Sequence, residues 1–290
     1  MFWAQRAEVW TKSKVTVMER WTPAEVAAAA TAVDDAWPLP TDMEAVQTDD
    51  CLVLCRPVHL SSPTSGRVQV WINSLRPFSE IRPEVEQLAR EWGADEVSWW
   101  VEGEVGQAVD EALRFAGAHL TVIQLVMARP LGGVDADAWL AGGYPPGVGA
   151  EVVADETAFQ ALTGVETAGW GRVAPSPGVL VEEWERLRAD LVSSSAFALL
   201  ATTDGTPAAV GRCRLFASVV RLFGAVTLPE FRRRGLYSSV VAARCRLGRV
   251  HGATLALTKA RPATSAPILK QAGFRSYWTE RCWRLHVDGS

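Results

Sequence analysis

Two stretches far apart in this chain carry the same pattern, and that duplication restricts the folds open to it more than any other feature. EWGADEVSWWV followed by ALRFAGAHL parallels RVHGATLALTK followed by ILKQAGFRS, with Gly93 against Gly252 and Gly117 against Gly273. A helix end, a strand, a helix and a second strand recur at matched glycines, which reads as an internal duplication. At 290 residues the chain is long enough for two cores, so two lobes are expected.

The elements around the repeat support this. TPAEVAAAATAVDDAW opens a helix, with Thr22 as N-cap, Pro23 at the first helical position and Glu25 completing a capping box. CLVLCRPV and GRVQVWI read as strands, PEVEQLAREWG as a helix ending at Gly93, VSWWV as a strand, GQAVDEALRFAG as a helix and TVIQLVMA as a strand. Residues 131–149, LGGVDADAWLAGGYPPGVG, are dense in Gly and Pro and suit an interlobe connection. Beyond them come helices in ETAFQALTGV and LVEEWERLRADLV, two strands around an Asp204-Gly205 turn, and the strand SVVRLFGAVTL. GLYSSVVAARCRLGRVHG is read as a helix, ATLALTK as a strand, SAPILKQAGF as a helix and RSYWTERCWRLHV as a closing pair of strands. The expected division is a lobe over 1–130, a linker over 131–150 and a second lobe over 151–290.

Charge separates the two halves. Residues 1–140 carry 21 acids and 11 bases, and the remainder 12 acids and 18 bases. Arg212 to Arg249 holds nine arginines against one acid, Glu230, so a small anion is the expected partner there. The net charge of -4 argues against a general polyanion binder. The N-terminal stretch MFWAQRAEVWTKSKVTVMERW has acids where a signal peptide needs its apolar run, and no run approaches a membrane span, so a soluble, cytoplasmic protein is expected. Cys51 and Cys55 would share a strand face ~13 Å apart, too far for a disulfide, and the five cysteines are read as reduced packing thiols.

The helix after Gly235 places Leu236, Val240, Ala243, Leu247 and Val250 on one stripe and opens onto FRRRG, directly after a strand. The amides at such a helix start lack intrahelical partners, and the macrodipole adds positive potential, which suits a phosphate. Glycine at 235 lets backbone approach that phosphate closely. Strand, LPEFRRRGLYSS and helix together resemble the coenzyme A site of the GNAT N-acetyltransferase superfamily, whose signature is Gln/Arg-x-x-Gly-x-Gly/Ala. Here it reads Arg232-Arg233-Arg234-Gly235-Leu236-Tyr237, departing at the last position. ILKQAGF is similar to the family's late helix ending in Gly-Phe.

The resemblance covers residues 150–287 by element order and motif. It implies an α+β fold with a mixed sheet, in two tandem GNAT lobes. Between VQVWI and PEVEQLA the chain reads NSLRPFSEIR, with no glycine and with prolines at 77 and 83, so the N-terminal lobe is expected to be degenerate. The resemblance further implies acetyl-CoA as cosubstrate. Arg232, Arg233, Arg234, Gly235, Leu236 and Tyr237 would give amides to the pyrophosphate, and Ser238 and Ser239 hydroxyls. Thr227 and Leu228 would present backbone groups to the pantetheine arm and thioester carbonyl.

Catalytic signals are weaker. The family's late-helix tyrosine, which protonates the leaving thiolate, is replaced by Leu269, and its upstream asparagine by Pro262. Glu166 and Glu280 flank loops that in the family close over the acceptor and are the candidate bases. Trp170 and Trp278 lie in those loops and either bind the acceptor or pack the lobes. Neither a metal site nor a nucleophilic triad is visible: His59, His119, His251 and His286 are isolated, and Cys245 sits inside a helix without a basic partner. Three functions stay open. The first is transfer of an acetyl group from acetyl-CoA to a primary amine of a small molecule by direct attack, by a monomer or homodimer. The second is acyl-CoA sensing without turnover, and the third a transferase using charged transfer RNA. The chain's acidity and the lack of interleaved exposed aromatics speak against nucleic acid, and no membrane partner is expected.

Overall fold

The computed structural model describes residues 21–35, 43–56, 67–72, 76–102 and 105–287. The N-terminal stretch before residue 21, His59 and residues 73–75 of the NSLRPFSEIR segment lie outside the described residues.

Local chemistry starts the helices where the sequence suggests. The Thr22 amide donates to Glu25 Oε2 at 2.7 Å and the Glu25 amide to Thr22 Oγ1 at 3.3 Å, a reciprocal box opening α1 (Pro23–Asp35). Strands β1 (Glu44–Gln47), β2 (Cys51–Cys55) and β3 (Val68–Ile72) follow, then α2 (Phe78–Glu91), β4 (Glu96–Glu102), α3 (Val105–Phe115) and β5 (His119–Pro130). The second half runs α4 (Val134–Ala141), β6 (Val148–Val152), α5 (Glu156–Trp170), α6 (Pro177–Ser193), β7 (Ala196–Thr203), β8 (Thr206–Phe216), β9 (Val219–Thr227), α7 (Leu236–Val250), β10 (Leu255–Ala260), α8 (Ser265–Gln271) and β11 (Arg275–His286). Asp204 and Gly205 both take positive φ, 50° and 78°, in the tight β7–β8 turn.

The described strands form one sheet in the order β1-β2-β3-β4-β11-β5-β10-β9-β8-β7-β6. Its centre is an exchange. The last strand of the chain, β11, lies against β4 of the first half, while β5 of the first half lies against β10, and β5 and β11 pair antiparallel with each other. Gln124 stands directly opposite Glu280. Each is seven residues beyond its matched glycine, Gly117 or Gly273, so a local two-fold relation passes between them. The duplication is therefore visible in the hydrogen-bond register itself.

Opposite faces of the sheet carry different helices. Val210 packs with Phe159, Leu162 and Val165 of α5, whereas its neighbour Ala209 packs with Leu236 and Val240 of α7. On the central strands Val126 and Leu257 pack with Val26 and Val33 of α1, and Met127 and Ala256 with the α7–α8 cluster. Trp99 and Val101 of β4 face α2 and α3. One face thus bears α2, α3, α7 and α8, and the other α1, α5 and α6. This is an α+β fold with a mixed sheet, as the sequence suggests.

Three local expectations are corrected. The closing pair of strands is a single twelve-residue strand, because β11 is paired on both edges and absorbs its irregularity as two register shifts instead of a turn. The Gly- and Pro-rich segment after residue 130 holds α4 and the start of β6. Leu140 is buried there, the Arg129 guanidinium lies 4.0 Å from the Trp139 ring, and β7 supplies the partner that makes Val148–Val152 a strand. Val250 is 76% exposed, since α7 reaches it only at its last turn, so the buried stripe stops earlier.

The sheet crosses the connection between the halves, so neither half owns a complete set of neighbours for its strands. Residues 148–290 made alone should lack a cooperative urea transition as a monomer, and coexpression with residues 1–147 should restore one. A monomeric fragment unfolding cooperatively would contradict the exchange.

Candidate functional site

β9 and β10 run parallel for four rungs, Val219–Leu222 against Leu255–Thr258, and then part. Beyond Leu222, β9 keeps only β8, and beyond Thr258, β10 keeps only β5. The parting coincides with a bulge. Between Val210↔Val226 and Arg212↔Phe223, β9 uses one residue more than β8, and Gly224 there takes φ 56°. Such a bulge bends its strand and leaves backbone groups outside the ladder. The result is a wedge-shaped opening in the sheet, with the exposed backbone edge of β9 as one wall.

A buried cation holds this bend. Arg244 of α7 is 2% exposed; its Nη1 donates to the Arg212 and Phe223 carbonyl oxygens, both at 3.1 Å, and its Nε to the Val240 carbonyl at 3.2 Å. Burial pulls its pKa below the ordinary arginine value. Hydrogen bonds to carbonyls at the distorted rung offset part of that desolvation cost. The approach requires Gly211, where a Cβ would stand 2.5 Å from Val240 Cγ1 and 3.0 Å from Arg244 Cζ.

At the end of β9 the chain makes a short turn, Pro229–Phe231, and reaches the arginine loop. Arg233 and Gly235 both take positive φ, 64° and 81°, and Gly235 is the N-cap of α7 with no side chain capping its amides. Left-handed residues in such a turn cluster backbone N–H groups into an anion-binding concavity. Arg232, Arg233 and Arg234 are exposed; the Arg232 Nε donates to the Thr227 carbonyl at 3.3 Å, and the Arg234 guanidinium lies 5.5 Å from the Phe231 ring. The side of Gly235 that a Cβ would occupy is filled by Pro145, whose Cγ would be 2.7 Å away. Glycine is thus demanded by its φ and by the packing of Pro145.

The remaining loop residues divide by direction. The Leu228 amide donates to the Ala208 carbonyl at 2.9 Å, so it is turned to β8 and away from the opening. Thr227, alternating with it, has its backbone on the opening side, and its Oγ1 is buried without a partner among the described residues. Leu236 is buried in the core. Ser238 is exposed, while the Ser239 hydroxyl donates to the Gly235 carbonyl at 3.0 Å and is already engaged. Tyr237 packs its ring against the α7–α8 core and not over the loop. Burial pushes its phenol up, against the opposing effects of Arg244 and the Ser265 hydroxyl.

The candidate bases do not lie in loops. Glu166 is inside α5, and Arg212 grips it from Nε and Nη2 at 2.8 and 2.9 Å. Burial alone would lower the Arg212 pKa, but the carboxylates of Glu166, Glu183 and Asp190, Glu166 foremost, together hold it above the ordinary value. Gly169 lets α5 lie directly on β9, a Cβ there standing 2.6 Å from Val226 Cγ2. Glu280 is in the middle of β11, 1% exposed, with Lys259 of β10 donating to its Oε1 at 2.8 Å. Trp170 ends α5, with the Arg172 guanidinium 4.4 Å from its ring, and Trp278 stands on β11 with its Nε1 donating to Glu102 Oε2 at 3.0 Å. Glu166 and Glu280 are thus both on the α5 face, on opposite sides of the parting strands.

Leu269 is 1% exposed and belongs to the core under α8. The five cysteines are buried and free, and burial raises the thiols of Cys213 and Cys245 to about 12 and of Cys282 to about 11. None is a thiolate at neutral pH.

The matching position in the first half is built differently. Pro77 is the N-cap of α2, and the Arg76 guanidinium in front of it is held by Asp50 at 2.8 Å, Glu84 at 2.5 Å and Glu80 at 3.2 Å. Three carboxylates around that helix start repel a phosphate.

No family model and no curated protein matches the chain. Solved structures do. A GCN5-related N-acetyltransferase from Kribbella flavida is 16% identical and superimposes with a TM-score of 0.64 over 92% of this chain and 96% of its own. One from Sphaerobacter thermophilus is 14% identical, with a TM-score of 0.63 over 90% and 86%. A tandem GNAT protein from the clavulanic acid biosynthesis pathway is 16% identical, with a TM-score of 0.57 over 87% and 86%. The chain therefore has the GNAT fold in its two-lobe arrangement. No helix among the described residues is long and apolar enough to cross a membrane.

Because Gly211 has no room for a methyl group, Gly211→Ala should cost ~1–3 kcal/mol by overpacking. Urea unfolding should show a lower midpoint with an unchanged slope; an unchanged midpoint would mean that Arg244 does not hold the bulge against β8.

Proposed function

We propose that the protein is an acyl-CoA-dependent N-acyltransferase that binds one coenzyme A thioester per chain in the β9–β10 opening and passes the acyl group, most simply acetyl, to a primary amine of a small molecule. The observation that carries this reading is the succession of bulged β9, parted β10 and left-handed Gly235 heading α7. A long, thin, anionic ligand fits it: pyrophosphate on the α7 amides and Arg232 to Arg234, and the arm along β9 as a further strand beside Thr227. The likeness in fold to GCN5-related N-acetyltransferases supports the same chemistry.

Backbone groups freed at Gly224 would polarise the thioester carbonyl and stabilise the charge that attack develops on its oxygen. The amine would approach from the α5 face, where Glu166 and Glu280 flank the opening. Of the two, Glu280 is the better proposed base, since both oxygens of Glu166 are engaged by Arg212 whereas Glu280 Oε2 has no partner among the described residues. A thiol nucleophile is disfavoured by the raised cysteine pKa values, so direct attack is the simplest route. The buried Leu269 motivates the second reading, an acyl-CoA sensor without turnover. Release of free thiol from acetyl-CoA with a panel of amines separates the two.

Calorimetry should return one acetyl-CoA site per chain, with affinity falling as salt rises, because exposed arginines meet a polyanion. Gly235→Glu should abolish that binding, since a side chain there collides with Pro145 and the φ of 81° is strained for any other residue, so the turn that clusters the amides must shift. Two equivalent sites, or wild-type affinity in a folded Gly235→Glu protein, would contradict the placement.

Leu269→Tyr should leave turnover unchanged or lower it while reducing the unfolding midpoint, because the position is packed core. A gain of about tenfold, worth about 1.4 kcal/mol of barrier, would show instead that the site expects an acid there.

A further inference from the structure

The segment joining the two halves ends in a rigid turn directly before β6, at Pro145, Pro146 and Gly147. The Val148 amide donates to the Pro145 carbonyl at 3.0 Å, and Gly147 takes φ 73°. A proline followed by a left-handed glycine inside such a hydrogen bond makes a type II turn, with Pro146 presetting its first corner. The turn is fastened to its neighbour. The Asp204 amide, at the tip between β7 and β8, donates to the Gly147 carbonyl at 2.8 Å, and β6 then continues along β7. A proline ring held by a second proline and a closed turn has little freedom left.

From this anchored turn the Pro145 ring lies against the phosphate loop, on the side of Gly235 where a Cβ would stand 2.7 Å from its Cγ. The other end of the loop is braced by the same piece of chain, because Phe231 packs with Val148 and Ala150 just beyond the turn. The connection is also pinned along α7. Asp137 of α4 pairs with Arg249 in the last turn of α7, Leu140 joins the α7–α8 core, and the Arg246 guanidinium lies 4.5 Å from the Tyr144 ring. Between the braced ends stand Arg232, Arg233 and Arg234, all exposed, and Arg233 takes φ 64°, a conformation unfavourable to a residue with a Cβ. Three neighbouring cations also repel one another. A loop of this kind needs support from outside while no anion occupies it.

We infer that the connection between the halves is a buttress that presets the phosphate-binding turn, with Pro145 as its positioning residue, so that Gly235 and the α7 amides hold their binding conformation before the ligand arrives. This rests on the acyl-CoA reading of the loop. Pro145 acts through Gly235 and not on the ligand. Its effect is one of population, since apparent affinity falls with the fraction of molecules whose loop is set.

Pro145 is exposed, so Pro145→Ala removes the ring without opening the core. Calorimetry should show acetyl-CoA binding to the full-length variant about fivefold more weakly, still at one site per chain. Amide exchange of the ligand-free variant should quicken in residues 231–237 and stay at the wild-type rate in residues 240–248, a pattern that general destabilisation would not give. An acetyl-CoA affinity within twofold of wild type, or faster exchange spread evenly along α7, would overturn the inference. If acetyl-CoA fails to bind the wild-type chain, the acyltransferase reading falls, and exchange at 231–237 in the ligand-free variant still decides whether Pro145 sets the turn.

Discussion

The pairing of β5 with β11 is the contact on which the rest of the molecule depends. Each strand ends one half of a duplicated chain, and each is inserted beside the penultimate strand of the other half. Because a strand's edge must find a partner, this arrangement makes the halves complete one another. It fixes where β10 lies, and through β10 it fixes the angle at which β9 can leave the sheet. It also buries Glu280 and places it opposite Gln124, so the same register that holds the halves together sets the polar centre of the α5 face.

The opening between β9 and β10 is sustained from the other side. A bulge at Gly224 would expose carbonyl groups to the core, and Arg244 satisfies two of them from inside α7. This couples the position of α7 to the bend in β9. The N-terminus of that helix, with Gly235 and the exposed arginines, is thus held at a fixed distance from the bulge. A ligand that needs an anion site at one end and a polarising backbone at the other is served by rigid elements, as precise chemistry requires. Among the described residues of the first half, Arg76 and its three carboxylates cover the matching helix start.

What the sequence made legible was mostly local. The Thr22–Glu25 box, the Asp204–Gly205 turn and the glycine before α7 are decided within a few residues, and each stands where composition implied. The matched glycines correctly signalled a duplication. What escaped was set by distant partners. RSYWTERCWRLHV reads as a hairpin until β4 and β5 are known to flank it, and Val148–Val152 becomes a strand through β7. Arg244 looked like one more base in an arginine-rich stretch, because nothing nearby reveals that Phe223 and Arg212 would offer it carbonyls. Glu280 could be named as a candidate but not its ion pair with Lys259 across an intervening strand of the other half. Glycine 235 was legible for its backbone, but not for the Pro145 ring against it.

Backbone amide hydrogen exchange with and without acetyl-CoA tests the central claim most directly, since it reads the proposed cradle residue by residue. Slowed exchange should concentrate in residues 223–239, from the bulge through the first turn of α7, while residues 76–91 around the α2 start stay unchanged. Protection centred on α2, or no change along 223–239 at saturating ligand, would contradict the account.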